Sequence, residues 1–166
     1  NSQISEDIYS QIKKIPIDDN FQLIDLYATQ EGKKSNDFFS NKSIQICFKY
    51  RVLKRSNALR VGFDLINART GIVIFRSFHD DSYQEINPVE SGNYNAIGNI
   101  PGNMLLEGEY ILSVSIGIHN VKWIVYDSVK LPITIHNIEG VNKLYISDYR
   151  PGVINPFIEW ENNICD

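Results

Sequence analysis

Apolar and polar residues alternate with a period of two along 110–119. Tyr110, Leu112, Val114, Ile116 and Ile118 share one face, and Ser113, Ser115, Gly117 and His119 share the other. The pattern predicts a half-buried strand with an apolar face that another layer must cover and a second face of small polar groups. Just upstream, Pro101-Gly102 reads as a turn, Leu105-Leu106 as a short apolar plug and Gly108 as the bend that launches the strand. The same alternation marks candidate strands at 21–28, 43–52, 59–66, 71–78, 109–119 and 123–135, the last with a break near Asp127, and more weakly at 94–100. Turn-rich stretches at 30–34, 54–57, 67–71 and 91–93 separate them at intervals typical of a sandwich.

The ends read differently. Ile4, Ile8, Ile12 and Ile15 recur at helical spacing after Ser2 and Ser5, with Glu6 and Asp7 in the first turn and Pro16 as a stop. A short amphipathic helix or linker is therefore expected over 1–20, a sandwich over 21–160 and a tail over 161–166. Near the C-terminus a turn at 150–152 leads into an apolar strand at 153–160 containing Pro156, which lacks the donor that a central ladder needs. That strand belongs at an edge, folding back on its own sandwich or reaching across to a neighbour's.

Composition reinforces an all-β reading, because 25 isoleucines, 4 alanines and 19 aromatic residues suit a pleated surface better than a helix face. The net charge of -4 offers no basic stripe for a phosphate backbone, so nucleic acid is not an expected partner. No apolar run is long enough to insert into a bilayer. Cys47 and Cys165 form neither a spaced disulfide framework nor a metal-binding pair, which favours a reducing, cytosolic setting.

The residues offer little for catalysis. The acidic pairs Asp18-Asp19 and Asp80-Asp81 sit in loop-like segments where solvation is the default, the three histidines are scattered, and Cys47 reads as a core filler. No catalytic residue, cofactor or metal site is expected. His79-Asp80-Asp81 is the one loop to weigh for calcium, and it lacks the regularly spaced acidic residues such a site needs.

Sugar binding needs an aromatic face and short polar side chains, and these are present. On 59–66, Leu59, Val61, Phe63 and Leu65 face one way, leaving Arg60, Gly62 and Asp64 on the other. Placed beside Ser113, Ser115 and Gly117, they make a trough with Arg60 and Asp64 as a polar clamp, Arg60 also suiting a phosphate or carboxylate. Ser77, His79, Tyr94, His119 and Trp123 are candidate rim residues, although Trp123 and Trp160 also read as core or interface anchors. An ordinary solvated outer face with a weak Arg60–Asp64 pair remains the alternative reading of the same residues.

Taken in order, Ile100-Pro101, the run Leu105-Leu106-Glu107-Gly108-Glu109-Tyr110, the turn from Asn67 to Gly71 with Ile72 to Phe75 after it, and the closing 150–160 resemble one family. It is the C-terminal carbohydrate-binding domain of the ATPase subunit (Wzt) of bacterial polysaccharide ABC exporters, and the resemblance covers about residues 20–160. It implies a jelly-roll or immunoglobulin-like antiparallel β-sandwich that dimerises, often by exchanging its last strand. Val153, Ile154, Phe157, Ile158 and Trp160 would then form the dimer interface. It also implies non-catalytic recognition of the modified non-reducing end of an O-antigen type polysaccharide, with lipopolysaccharide export as the setting. The implied partners are an ATPase domain and a membrane permease, at the cytoplasmic face of the inner membrane. Gly32-Lys33-Lys34-Ser35 is no P-loop, because position 27 is Tyr, so the resemblance places any ATPase ahead of Asn1. A structural or adhesive sandwich that binds no sugar is the alternative.

Overall fold

The computed structural model describes residues 2–138, 144, 149–156 and 158–162. Among these, one helix, α1 (Ser2–Lys13), precedes nine strands: β1 (Phe21–Gln30), β2 (Lys33–Lys34), β3 (Asp37–Phe39), β4 (Ile44–Val52), β5 (Leu59–Asn67), β6 (Val73–Phe78), β7 (Gly92–Ile100), β8 (Gly108–Ile118) and β9 (Lys122–His136). They form a four-stranded sheet, β2-β1-β4-β7, and a five-stranded sheet, β3-β9-β8-β5-β6. The all-β sandwich expected from the alternation is the architecture observed. Its core takes Phe48 and Ile46 from the first sheet and Phe63, Leu112, Val114 and Leu131 from the second, all buried, as the inward positions of each strand require.

Several details depart from the simple pattern. The stretch 30–34 was expected to be only a turn. Glu31 and Gly32, both at positive φ, do turn the chain, but Lys33–Lys34 then pairs back on β1. β3 escapes periodicity because it is three residues long, yet it buries Phe38 completely and runs parallel to β9, so the second sheet is mixed and not purely antiparallel. β9 is not broken at Asp127. A bulge with Asp127 at φ 56° absorbs the irregularity and the ladder continues to His136.

α1 begins at Ser2, so Glu6 and Asp7 fall beyond its first turn. It packs on the sandwich through fully buried Ile8 and partly buried Ile12, and Ile15 packs on the core just beyond its end. Gln11 locks it in place by donating to the Lys130 carbonyl at 3.2 Å and accepting from the Lys130 N–H at 2.7 Å.

The strand expected over 153–160 is not formed among the described residues. Ile154 makes a single bridge to Leu105, the Leu106 N–H donates to the Val153 carbonyl, and the Asn155 N–H donates to that of Met104. The Tyr110 hydroxyl reinforces the contact by donating to the Leu106 and Val153 carbonyls. The segment thus lies against the plug preceding β8, while Ile158 and Trp160 stay exposed. Phe157 lies outside the described residues.

Candidate functional site

The outer face of the five-stranded sheet carries the polar and aromatic side chains that the core excludes. Register fixes who meets whom: Arg60 lies opposite Gly117, Gly62 opposite Ser115, and Asp64 opposite both Ser113 and Arg76. The glycines matter here because they let rings lie on bare backbone. A Cβ at Gly62 would fall 2.7 Å from Cδ1 of Phe78, and one at Gly117 would fall 3.1 Å from Cε3 of Trp123.

Trp123 reaches this face because β9 bulges where Ile116 pairs with Val125 and Gly117 with Trp123. Strict alternation would have sent Trp123 to the same side as buried Val125. Instead, Trp123 stacks on Tyr126 with ring centroids 4.8 Å apart, and both rings are half exposed.

The charged groups form separate pairs. Asp64, expected to clamp with Arg60, is almost fully buried and accepts two bonds from Arg76, at 2.5 Å from Nε and 2.7 Å from Nη2. The Arg76 guanidinium also donates to the Tyr126 hydroxyl and lies beside both rings of the aromatic stack. Its pKa is raised, first of all by the bond to Asp64. Arg60 turns the other way. Its Nε donates to both oxygens of Asp80 at 2.9 and 3.0 Å, its Nη2 reaches Asp81 at 2.9 Å, and its plane covers the Phe78 ring at 4.0 Å. Burial alone would push the Asp80 carboxyl up, but the hydrogen bond and charge of Arg60 outweigh it and hold the group below its ordinary value. At the β8–β9 hairpin, Lys122 is paired with Asp18 from the segment after α1, and the Asp18 carboxyl is likewise held down against the effect of burial.

Arg60, Arg76 and Phe78 on the β5–β6 side and residues 117–123 on the hairpin side line an open cleft of about 470 Å³, with Tyr126 and the carboxylates outside its lining. A smaller hollow of about 370 Å³ lies beyond Arg60, lined by His79, Asp80 and Tyr83. Arg60 and His119 border both.

Of the residues read from the sequence, Arg60, His119 and Trp123 line the main cleft. Ser113 and Ser115 are on the expected face, but they are buried and contribute no open trough; Ser115 Oγ has no hydrogen-bond partner among the described residues. Ser77 has the inward register of Phe63 and bonds to Asp81. His79 lines the smaller hollow, where its Nδ1 accepts the Val61 N–H. Tyr94 belongs to the other sheet, stacked on buried Tyr50 with its hydroxyl on the Glu90 carbonyl. Arg76, Phe78, Lys122 and Tyr126 were not singled out from the sequence. The signal that points to the aromatic ones is the presence of Gly62 and Gly117 at outward positions of neighbouring strands, where a ring can lie flat.

The arrangement suits binding better than bond cleavage. Asp18 and Asp80 both shift in the direction opposite to that required of a general acid at a glycosidic bond. No group of three or more potential metal ligands is clustered among the described residues.

The model of the Wzt C-terminal domain family matches residues 19–144. Among solved structures, the crystal structure of the C-terminal domain of Wzt superposes with a TM-score of 0.67 at 14% identity, covering 88% of this chain and 86% of that one. A Niemann-Pick type C2 protein from the Japanese carpenter ant is more distant, with a TM-score of 0.49 and 8% identity over 74% of this chain and 98% of its own. No curated protein sequence matches the chain significantly.

Proposed function

Because the chain belongs to the Wzt C-terminal domain family, a non-catalytic, carbohydrate-binding component of ABC exporters, we propose that its outer cleft holds the modified non-reducing end of a bacterial surface polysaccharide of the O-antigen type. The observation that carries this reading is half-exposed Trp123, stacked on Tyr126, in one cleft with Arg60, whose two-point partner Asp80 lines the adjoining hollow. A ring offers the apolar side of a sugar a flat partner, and a guanidinium–carboxylate pair offers its hydroxyls donors and acceptors together. The cleft volume falls within the roughly 300–1,000 Å³ of small-ligand sites.

In this reading the domain works beside an ATPase domain and a membrane permease, at the cytoplasmic face of the inner membrane, and it selects finished chains for export. It acts as a homodimer. The exposed Ile154, Ile158 and Trp160 favour pairing through the C-terminal segment, and two clefts per dimer would raise the avidity for long chains.

Calorimetric titration with the source organism's polysaccharide, intact or trimmed at its non-reducing end, tests the proposal. Saturable binding of the intact glycan alone supports it. Equal binding of both, or none, refutes it.

A further inference from the structure

Every cation at the main cleft already has an anion. Arg60 is held by Asp80 and Asp81, Arg76 by Asp64, and Lys122 by Asp18, so three cations face four carboxylates. The pairs are not loose surface contacts. The Asp64 side chain is 7% exposed and that of Asp18 13%, while Arg60 and Asp80 are each only about a quarter exposed, at 28% and 27%. The Arg60 guanidinium is further pinned against the Phe78 ring, and Asp81 is fixed by the Phe78 N–H at 2.7 Å.

We infer that this cleft selects an uncharged sugar with an apolar edge, such as a 6-deoxyhexose, and turns away termini bearing phosphate or carboxylate. The inference rests on the proposed sugar-binding role of the cleft and names the class of sugar it takes.

The carboxylates stand behind their cations and outside the lining of the cleft, but they outnumber them four to three, so a phosphate or carboxylate entering here meets no net positive charge. To take the Nε and Nη2 donors of Arg60, it must displace Asp80 and Asp81 and leave them unpaired in a partly desolvated site. A neutral sugar meets no such barrier. Its hydroxyls leave the ion pairs as they stand, accepting from the guanidinium N–H groups of the cleft and donating to Asp80 where the cleft meets the adjoining hollow at Arg60. The remaining wall is apolar: Ile118 sits in the floor, Trp123 is half exposed and Val121, on the hairpin, is 74% exposed. A methyl group at the sugar's edge covers such a wall, where a hydroxyl would lose its water without finding a partner.

Saturation-transfer NMR with methyl fucoside, methyl galactoside, galacturonate and galactose 6-phosphate separates the possibilities. Taken all in the D-series, with the fucoside as that of 6-deoxy-D-galactose, these four share one ring configuration and differ at the sixth carbon. The inference predicts contact with the fucoside at an affinity at least about tenfold above either anion, and the galactoside in between. Asp80→Asn, which leaves Arg60 short of one countercharge, should raise the binding of galactose 6-phosphate relative to that of the fucoside. Anions binding as well as or better than the fucoside would overturn the inference while leaving a sugar site intact. Absence of transfer to any of the four, with the intact polysaccharide also unbound, would remove the sugar-binding reading beneath it. If the polysaccharide binds and no monosaccharide of the series competes with it, the assigned class is wrong.

Discussion

The ring of Trp123 lies on the bare backbone of Gly117. A Cβ added there would meet Cε3 of the ring at 3.1 Å and the Lys122 carbonyl oxygen at 2.6 Å, so even one methyl group forces the β8–β9 pair apart. Gly117→Ala is therefore expected to cost about 1–3 kcal/mol of stability and to red-shift Trp123 emission as the ring lifts into water. Urea titration followed by fluorescence, with Trp160→Phe as background, checks both. An unchanged midpoint and spectrum would mean that the ring does not need this glycine.

Asp64 is the buried member of its pair, and Arg76 is the one that reaches solvent. Removing Arg76 strands a carboxylate, whereas neutralising Asp64 leaves a guanidinium that water can serve. Arg76→Met should thus destabilise by about 2–4 kcal/mol and Asp64→Asn by less. Thermal unfolding of both variants decides the order, and the reverse order would contradict this account of the pair.

Burial pushes the hydroxyls of Tyr50 and Tyr110 up to about 12 from 10.0. The native state therefore holds protons that the unfolded chain releases first, and stability present below pH 10 is lost as pH rises towards 12, by up to about 3 kcal/mol for each tyrosine. Asp18 and Asp80 act at the other end. Their carboxyls sit below 3.8, so their contribution is present above that value and disappears as pH falls through the depressed native values. Denaturation midpoints measured against pH should decline at both extremes. A flat alkaline limb would show that the two hydroxyls are not buried as described.

Gln11 exchanges two hydrogen bonds with the Lys130 backbone across 119 residues of sequence. Gln11→Ala should cost about 1–2 kcal/mol and expose the Lys130 amide to solvent exchange. Hydrogen exchange reads this directly. Full protection of that amide in the variant would mean that the apolar contacts of α1 hold it without Gln11.

The sandwich was legible because most of its strands are long enough to show a period of two and carry large apolar residues on one side, as in Leu112, Val114 and Ile116. What alternation could not reveal lies where the period breaks. The extra residue at Ile24 moves the inward set of β1 from Phe21 and Leu23 to Leu26 and Ala28, and the bulge at Ile124 turns Trp123 outward. The charges pair between segments, and not along β5, for a geometric reason. Arg60 and Asp64 share a face but lie four residues apart on an extended strand, about 13 Å, so each finds a partner on a neighbouring segment. Phe38 could not be read at all, because a three-residue strand shows no period. The C-terminal run was apolar enough to suggest a strand, yet only Ile154 bridges to Leu105 among the described residues.

The central claim is that a glycan end rests against Trp123. The chain has two tryptophans, so the indole N–H signals of Trp123 and Trp160 are separable in a nitrogen-15 spectrum once Trp160→Phe assigns them. During titration with the source organism's polysaccharide, the Trp123 indole signal should shift in a saturable manner and the Trp160 signal should not follow the same isotherm. Bound polysaccharide with the Trp123 signal unmoved would contradict the account.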